Sequence, residues 1–379
     1  MTAEQSPWAQ LAGSLLRAGE EIDGIASPED DLARADGHAQ LGTLLETALR
    51  WYLRGADPEF PRFVEINDTP EIADNLFAAV RGDATYRIVG NVSSLFDLNI
   101  SIHTEWGWLA PAQISGDLGR DNLEIAGDGS FSLVLGGAAC DGNWLPLPPD
   151  AKYVQIREYH ADYAPNPPGR FVIERLGGAG TAPPRLTLAY LTDRLNAAAE
   201  WARSYMSFHQ RSVERIFPSE ANAIAPPSRR SGGNSHIHYG FGRFALEPGE
   251  TLVVSFDQPR ARLWSIQWLL APWYENPDLA NRQTGLPGGE AFVNCDGRVR
   301  VVISQQDPGV GNWLDCGGYA VGLFVTRWLW CDDGPEVSLE RVPLSALSSV
   351  LPDDTPRIGA AERATQLGRR RMHFAARRR

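Results

Sequence analysis

Between Asn294 and Asp315 the chain reads NCDGRVRVVISQQDPGVGNWLD. A DG turn leads into Val299, Val301 and Ile303 alternating with Arg298 and Arg300, and the loop after them closes on Gly311, Asn312 and Trp313. Period-two alternation predicts a half-buried strand. About 168 residues earlier stands DGSFSLVLGGAACDGNWLP, Asp128 to Pro146, in which Asp128–Leu135 aligns with Asp296–Ile303 without a gap. One extra residue in the later loop brings Asn143 and Trp144 onto Asn312 and Trp313. The match extends outward: Tyr86, Arg87 and Ile88 fall on Leu252, Val253 and Val254; Leu98, Ile100 and Ile102 on Trp264, Ile266 and Trp268; Arg157 and Asp162 on Arg327 and Asp332. A period this long predicts two copies of a domain, not a solenoid.

Around these strands the apolar positions change period. Trp8, Leu11, Leu15 and Leu16, then Leu41, Leu44, Leu45, Ala48, Leu49 and Tyr52, recur at helical spacing, and Pro58 and Pro61 close that region. A short helix is expected over Glu71 to Val80, with Pro70 in its first turn. From Tyr86 to Ile173 strands alternate with Gly, Asn, Asp and Pro, the pattern of an antiparallel sandwich. A long helix is expected from Leu188 to Phe217, and the loop SEANAIAPPSRRSGGNS after it reads as a linker or lid. A last helix is expected with Thr355 as its N-cap and Pro356 at its first position. The fold class is therefore α+β, mainly β: two antiparallel sandwich or jelly-roll-like domains from an internal duplication. They divide as residues 1–56 (helical), 57–184 (first β domain), 185–235 (bridging helix and linker), 236–335 (second β domain) and 336–379 (helical basic tail).

Composition narrows the class. Hydrophobic residues make 43% and charged residues 22% of 379, as in ordinary globular proteins. No run of eighteen apolar residues predicts a transmembrane helix, and the first residues lack a signal-peptide pattern, so a cytoplasmic location is expected. Cys140, Cys295, Cys316 and Cys331 have no zinc-type spacing and are expected as free thiols. From Arg357 onward eight arginines and one glutamate give a local +7, which leaves −19 on the rest of a chain of net −12. Such a body repels polyanions and argues against nucleic acid. The basic end reads as a solvated helix, a membrane-surface contact or an arm for homo-oligomer formation. Lys152 is the only lysine, so Schiff-base chemistry would rest on it alone.

The runs HYGFGRFALEPGETLVVSF, LWSIQWLLAPWYENPDLANRQTG, DGRVRVVISQQDPGVGNWLD and DTPRIGAAERATQLGRRR resemble bacterial proteins of the domain of unknown function 1214, often paired with the domain of unknown function 1254. The similarity covers roughly Tyr239 to Arg371, and GNWLP at Gly142–Pro146 is similar to the family's usual turn. The resemblance implies a jelly-roll-like domain beside an immunoglobulin-like one, with helices and no agreed activity. Asp315 stands where the family has proline.

The chain holds no GxSxG, HExxH or phosphate-binding GK[ST] motif, and GFGRFA opens no helix that would make it a dinucleotide fingerprint. His236 and His238, at i and i+2 on a strand, would share a face and are the candidates for a divalent metal, against the simpler reading that they line a sheet. Six of twelve tryptophans lie in the second β domain, and Tyr239, Trp264, Trp268, Trp273, Tyr274 and Trp313 are the candidates for a hydrophobic pocket; filling the core is the alternative. Residues that recur in both copies should be scaffold, whereas Asp315, His238, Asp307 and Arg282 have no counterpart and are the candidate acid, base and anchoring groups. Two functions remain. One is an acid/base enzyme (hydrolase, lyase or isomerase), without organic cofactor, on a hydrophobic small molecule in the second β domain. The other is a non-catalytic binder of a lipid or carbohydrate. The site is expected between the His238 strand, Trp264–Trp273, Arg282 and the Asp307–Asp315 loop, with the loop before His236 as its lid.

Overall fold

The computed structural model describes residues 6–25, 30–66, 71–106, 113–178, 182–230 and 236–377. The chain divides into two compact units, one of Met1–Thr69, Ala73–Tyr159 and Pro168–Phe208, the other of Pro70–Ile72, His160–Pro167 and His209–Arg379.

The first unit opens with α1 (Pro7–Ile25) and α2 (Asp31–Arg50), the latter capped by the Asp30 carboxylate accepting from the Ala33 amide. Its strands are β1 (Val64–Glu65), β2 (Ala73–Ala79), β3 (Tyr86–Asn91), β4 (Asp97–His103), β5 (Ile114–Gly119), β6 (Ser130–Leu135), β7 (Asn143–Leu145), β8 (Tyr153–Tyr159) and β9 (Arg170–Arg175). They form a five-stranded sheet β1-β2-β8-β4-β5 and a four-stranded sheet β7-β6-β3-β9. Leu98, Ile100, Ile102, Val154 and Ile156 of one sheet share a core with Tyr86, Ile88, Leu133 and Leu135 of the other. The helix expected over Glu71–Val80 is instead β2, buried at every position and paired on both sides, by β1 and by β8. A run that is apolar or small throughout has no face to show water, so its period does not separate a short helix from a central strand. Pro70 lies outside the described residues.

Next, α3 (Leu188–Ile216) matches the expected long helix. The second unit holds β10 (Ala223–Ile224), β11 (Ser228–Arg229), β12 (Ile237–Ala245), β13 (Glu250–Asp257), β14 (Leu263–Leu269), β15 (Gly285–Pro287), β16 (Arg298–Ser304), β17 (Trp313–Asp315), β18 (Val321–Leu329) and β19 (Val337–Pro343), then α4 (Leu347–Val350) and α5 (Ala360–Arg377). Its sheets run β10-β12-β18-β14-β15, with β11 added on β12, and β17-β16-β13-β19; apart from β11 this repeats the order of the first unit. The registers repeat as well: Tyr86 faces Leu135 as Leu252 faces Ile303, and Asn99 faces Arg157 as Ser265 faces Arg327. Gly129 and Gly297 take the same left-handed turn, at φ 82° and 79°.

The duplication extends to side chains. Asn143 donates to the carbonyls of Glu124 and Ser132 and accepts from the Glu124 amide; Asn312 does the same with Phe292 and Arg300. These asparagines fasten short strands that lie parallel to their neighbours, so each unit contains one parallel pair, β6 with β7 and β16 with β17, where an all-antiparallel arrangement was expected. Asn312→Ala leaves two carbonyls and an amide unpaired and should cost about 1–3 kcal/mol; Asn143→Ala should cost a similar amount. Urea midpoints of the two variants check both.

Two expectations about the ends change. Thr355 and Pro356 do not start the last helix: Thr355 accepts from Asn294, Gly311 donates to the Pro356 carbonyl, and α5 begins at Ala360 with Glu362 reaching back to the Gly359 amide. Nor is the basic end merely solvated. Arg363, Arg370, His373 and Arg377 are buried. The Arg370 guanidinium meets both oxygens of Glu71, with Nη2 2.7 Å from Oε2, and donates to the hydroxyls of Tyr163 and Thr284 and the carbonyls of Leu279 and Gly285. Arg370 and Glu71 are both fully buried. A Cβ at Gly285 would lie 2.2 Å from the Glu71 carboxylate, so only glycine admits this pair.

Candidate functional site

The residues expected to form one site are spread over three places. Residues opposite one another on antiparallel strands share a face. Trp264, Trp268 and Trp328 point into the core between the second unit's sheets with Phe244 and Phe256. Tyr239 and Tyr274 lie on the opposite face of β12-β18-β14, beside Phe241, Leu269, Val213 and Phe217. Trp273 is buried, and Trp313 is held by its indole N–H on Ser304 and by Arg363 stacked over its ring. Large rings here fill space.

The charged candidates part in the same way. Asp315 and Arg282 meet at 3.1 Å, and Asp315 also caps the Gly317 amide. Asp307 instead takes a bidentate fork from Arg363. Burial raises its pKa, but this fork and the Gly309 amide outweigh that and hold it below the usual carboxylate range. His238 is remote from both. The Trp268 indole reaches the Asp315 carbonyl and pairs across from Phe324, whereas His238 pairs with Trp328, four residues or about 13 Å farther along β18. Its Nε2 takes the Arg229 N–H at 3.3 Å and its Nδ1 faces Cys331 Sγ at 3.5 Å, while His236 stacks on Trp330. Burial, then Arg229, depresses the His238 pKa, and an arginine against the ring opposes a cation there. Among the described residues no group of three His, Cys, Asp or Glu converges. The loop expected as a lid is pinned over its first half: Ala225 donates to the Phe241 carbonyl, and Asn222 bonds both backbone groups of Ala245. Residues 231–235 lie outside the described residues. All four cysteines are free thiols; burial raises Cys316 to about 12, so it is not a nucleophile at neutral pH.

The first copy holds a buried row of polar side chains. On β4 the apolar Leu98, Ile100 and Ile102 face the core, and the alternate residues Asp97, Asn99, Ser101 and His103 face away from it, yet all four are at most 3% exposed. Beside them on the same face are Gln155 and Arg157 of β8 and Asn75 and Phe77 of β2. Burying such a row is costly unless its members are paired, so its bonding is informative. Gln155 donates to Asn75 Oδ1, and Asn99 donates to Asp117. Ser101 Oγ and His103 Nε2 are 2.9 Å apart. His103 lies flat on Tyr153, with centroids 4.6 Å apart, and Trp106 also stacks on Tyr153, at 4.0 Å, backed by Trp51 and Phe77.

Two atoms in this cluster have no partner. Among the described residues, Arg157 Nη1 and His103 Nδ1 are buried without a hydrogen bond. Arg157 is also the partly exposed member of the row. Desolvation first, then the Arg157 charge, brings His103 down to about 3, so the imidazole is neutral at pH 7. Burial likewise keeps Tyr153 protonated, well above the ordinary phenol. The duplicated copy shows what would satisfy the arginine. Arg327, equivalent to Arg157, donates to Gln267 Oε1 at 3.0 Å; the residue equivalent to Gln267 is Ser101, too short for that bond. The recurrence of an arginine in both copies marked scaffold in the second unit and concealed, among the described residues, an unpaired buried Nη1 in the first.

No family model matches the chain, and no curated protein matches it in sequence. Among solved structures it resembles an uncharacterised protein from Burkholderia cenocepacia, 27% identical, TM-score 0.81, over 90% of this chain and 97% of that one. A looser likeness joins it to the VPA0106 protein from Vibrio parahaemolyticus, 11% identical, TM-score 0.45, over 80% of this chain and 98% of that one.

Proposed function

We propose that the polar face of β2-β8-β4 in the first unit binds a small carboxylate with an apolar, ring-bearing body. The observation that carries this is Arg157. An arginine whose Nη1 is buried without a hydrogen bond, where its duplicate is capped by glutamine, lacks an internal acceptor, and a ligand oxygen entering from its partly exposed side would supply one. Gln155 and Asn75 supply neutral polar groups beside it, and Phe77, Trp106 and Tyr153 supply the aromatic wall. Ligand binding is thus favoured over turnover, because an imidazole held near 3 has little capacity as a base. One observation favours acid/base catalysis as the second reading: Ser101 lies on His103 Nε2, and a carboxylate beside Arg157 would neutralise the charge that depresses the ring. Either function would run without an organic cofactor, in a relative of the domain of unknown function 1214 proteins with a cytoplasmic location. No described helix is long and apolar enough to cross a membrane. Self-association through α5 would have to use its exposed positions, such as Arg371 and Met372.

Calorimetric titration with phenylacetate, benzoate and octanoate, and with phenylacetamide as the uncharged control, tests the reading. Carboxylates should bind and the amide should not, and Arg157→Gln should weaken binding about 10- to 100-fold, the worth of one charged hydrogen bond. Equal affinity for amide and acid, or an unaffected variant, would remove the basis of the proposal.

A further inference from the structure

A second feature of the first unit lies apart from the polar face. Tyr52, Arg54, Asp57, Phe60, Arg62 and Arg185 belong to the wall of a half-open cavity of about 320 Å³, which Leu186 and Tyr190 help to close. Three arginines and one carboxylate, Asp57, line it, and that carboxylate already accepts the Glu59 amide at 2.9 Å. Among the described residues Arg54, Arg62 and Arg185 form no ion pair. In a chain of net charge −12 an uncompensated surplus of about two positive charges over one concavity is a local exception, and its field favours a dianion. The wall is also built to stay in place. Arg194 lies over the Tyr190 ring at 4.8 Å and donates to the Ala56 carbonyl at 3.3 Å. Burial, against the opposing charge of Arg194, pushes the Tyr52 phenol up to about 12, so it remains a neutral donor.

We propose that this cavity is a binding site for a phosphate monoester carried on a planar ring. Guanidinium forks match phosphate oxygens in pairs, and three of them answer a dianion better than a single carboxylate would. Tyr52, Phe60 and Tyr190 offer ring faces for the planar body. The volume, at the small end of ligand pockets, fits one ring system with its phosphate. This site does not depend on Arg157 or His103.

Calorimetry with phenyl phosphate, inorganic phosphate and phenol, and with phenylacetate in the Arg157→Gln variant so that the carboxylate site does not contribute, decides the matter. Phenyl phosphate should bind at least about tenfold more tightly than each of the other three at this cavity, and Arg62→Gln and Arg185→Gln should each weaken it about tenfold. Arg157→Gln should leave it unchanged. Both arginines are exposed, so circular dichroism of the variants should match the parent. Absence of binding, equal affinity for inorganic phosphate or phenylacetate, or indifference to both arginine substitutions would overturn the assignment.

Discussion

Arg370→Leu is expected to destabilise the second unit by about 3–5 kcal/mol, the cost of leaving one member of a buried ion pair without the other. Glu71 has no access to water and its carboxylate is shared among Arg370 and the Tyr163 hydroxyl, so deletion of the guanidinium strands a charge as well as six hydrogen bonds. Arg370 also lies over the rings of Tyr163 and Phe374, contacts that leucine replaces only in part. The double variant Glu71→Leu with Arg370→Leu should recover most of the loss, because it removes the stranded charge together with its partner. Urea unfolding of the two single variants and the double variant checks this. Additive losses would show that the pair is not coupled as its geometry requires.

Acid should be the second large effect. His103 and His373 are held near 3 and near 4, in both cases by burial first, against an ordinary value of 6.5. For an imidazole a lowered value means that the folded state refuses a proton which the unfolded chain accepts. Stability is therefore complete above about pH 6.5 and is lost as pH falls from there toward 4 and then 3. Each group contributes up to about 1.4 kcal/mol per pH unit within its window, so His103 alone should remove about 2 kcal/mol between pH 6.5 and 5. His103→Phe keeps a ring against Tyr153 and abolishes the titration. Whatever its own stability, its dependence on pH over that interval should be shallower than the parent's by this amount. Parallel profiles would mean that the imidazole is hydrated in the folded state.

The sequence made the duplication legible because a strand's period and a turn's glycine survive divergence: DG, the asparagine and tryptophan after it, and the register of β3 with β6 all recur. The long helix was legible for the same reason of period. The site was not. Alternation in DLNISIH reveals which residues share a face and says nothing of what lies beyond it, and Asn99, Ser101 and His103 are buried. Tryptophans read as pocket lining because size and apolarity suit a ligand wall and a core equally, and Trp264 and Trp268 went to the core. Arg363 and Arg370 read as solvated because their acceptors, Asp307 and Glu71, lie 56 and 299 residues away. One clue was present in the sequence: where the copies are aligned, Gln267 stands opposite Ser101 while the arginine beside it is kept.

The imidazole of His103 offers the most direct test of the carboxylate site. Its titration can be followed by NMR in protein labelled at histidine, with and without saturating phenylacetate. A carboxylate seated on Arg157 cancels the positive charge that helps hold His103 near 3 and sets a negative one beside it, so the value should rise by at least about one unit. The rise should be absent in Arg157→Gln. An imidazole that titrates identically with and without phenylacetate, in protein shown to be fully folded, would contradict the account.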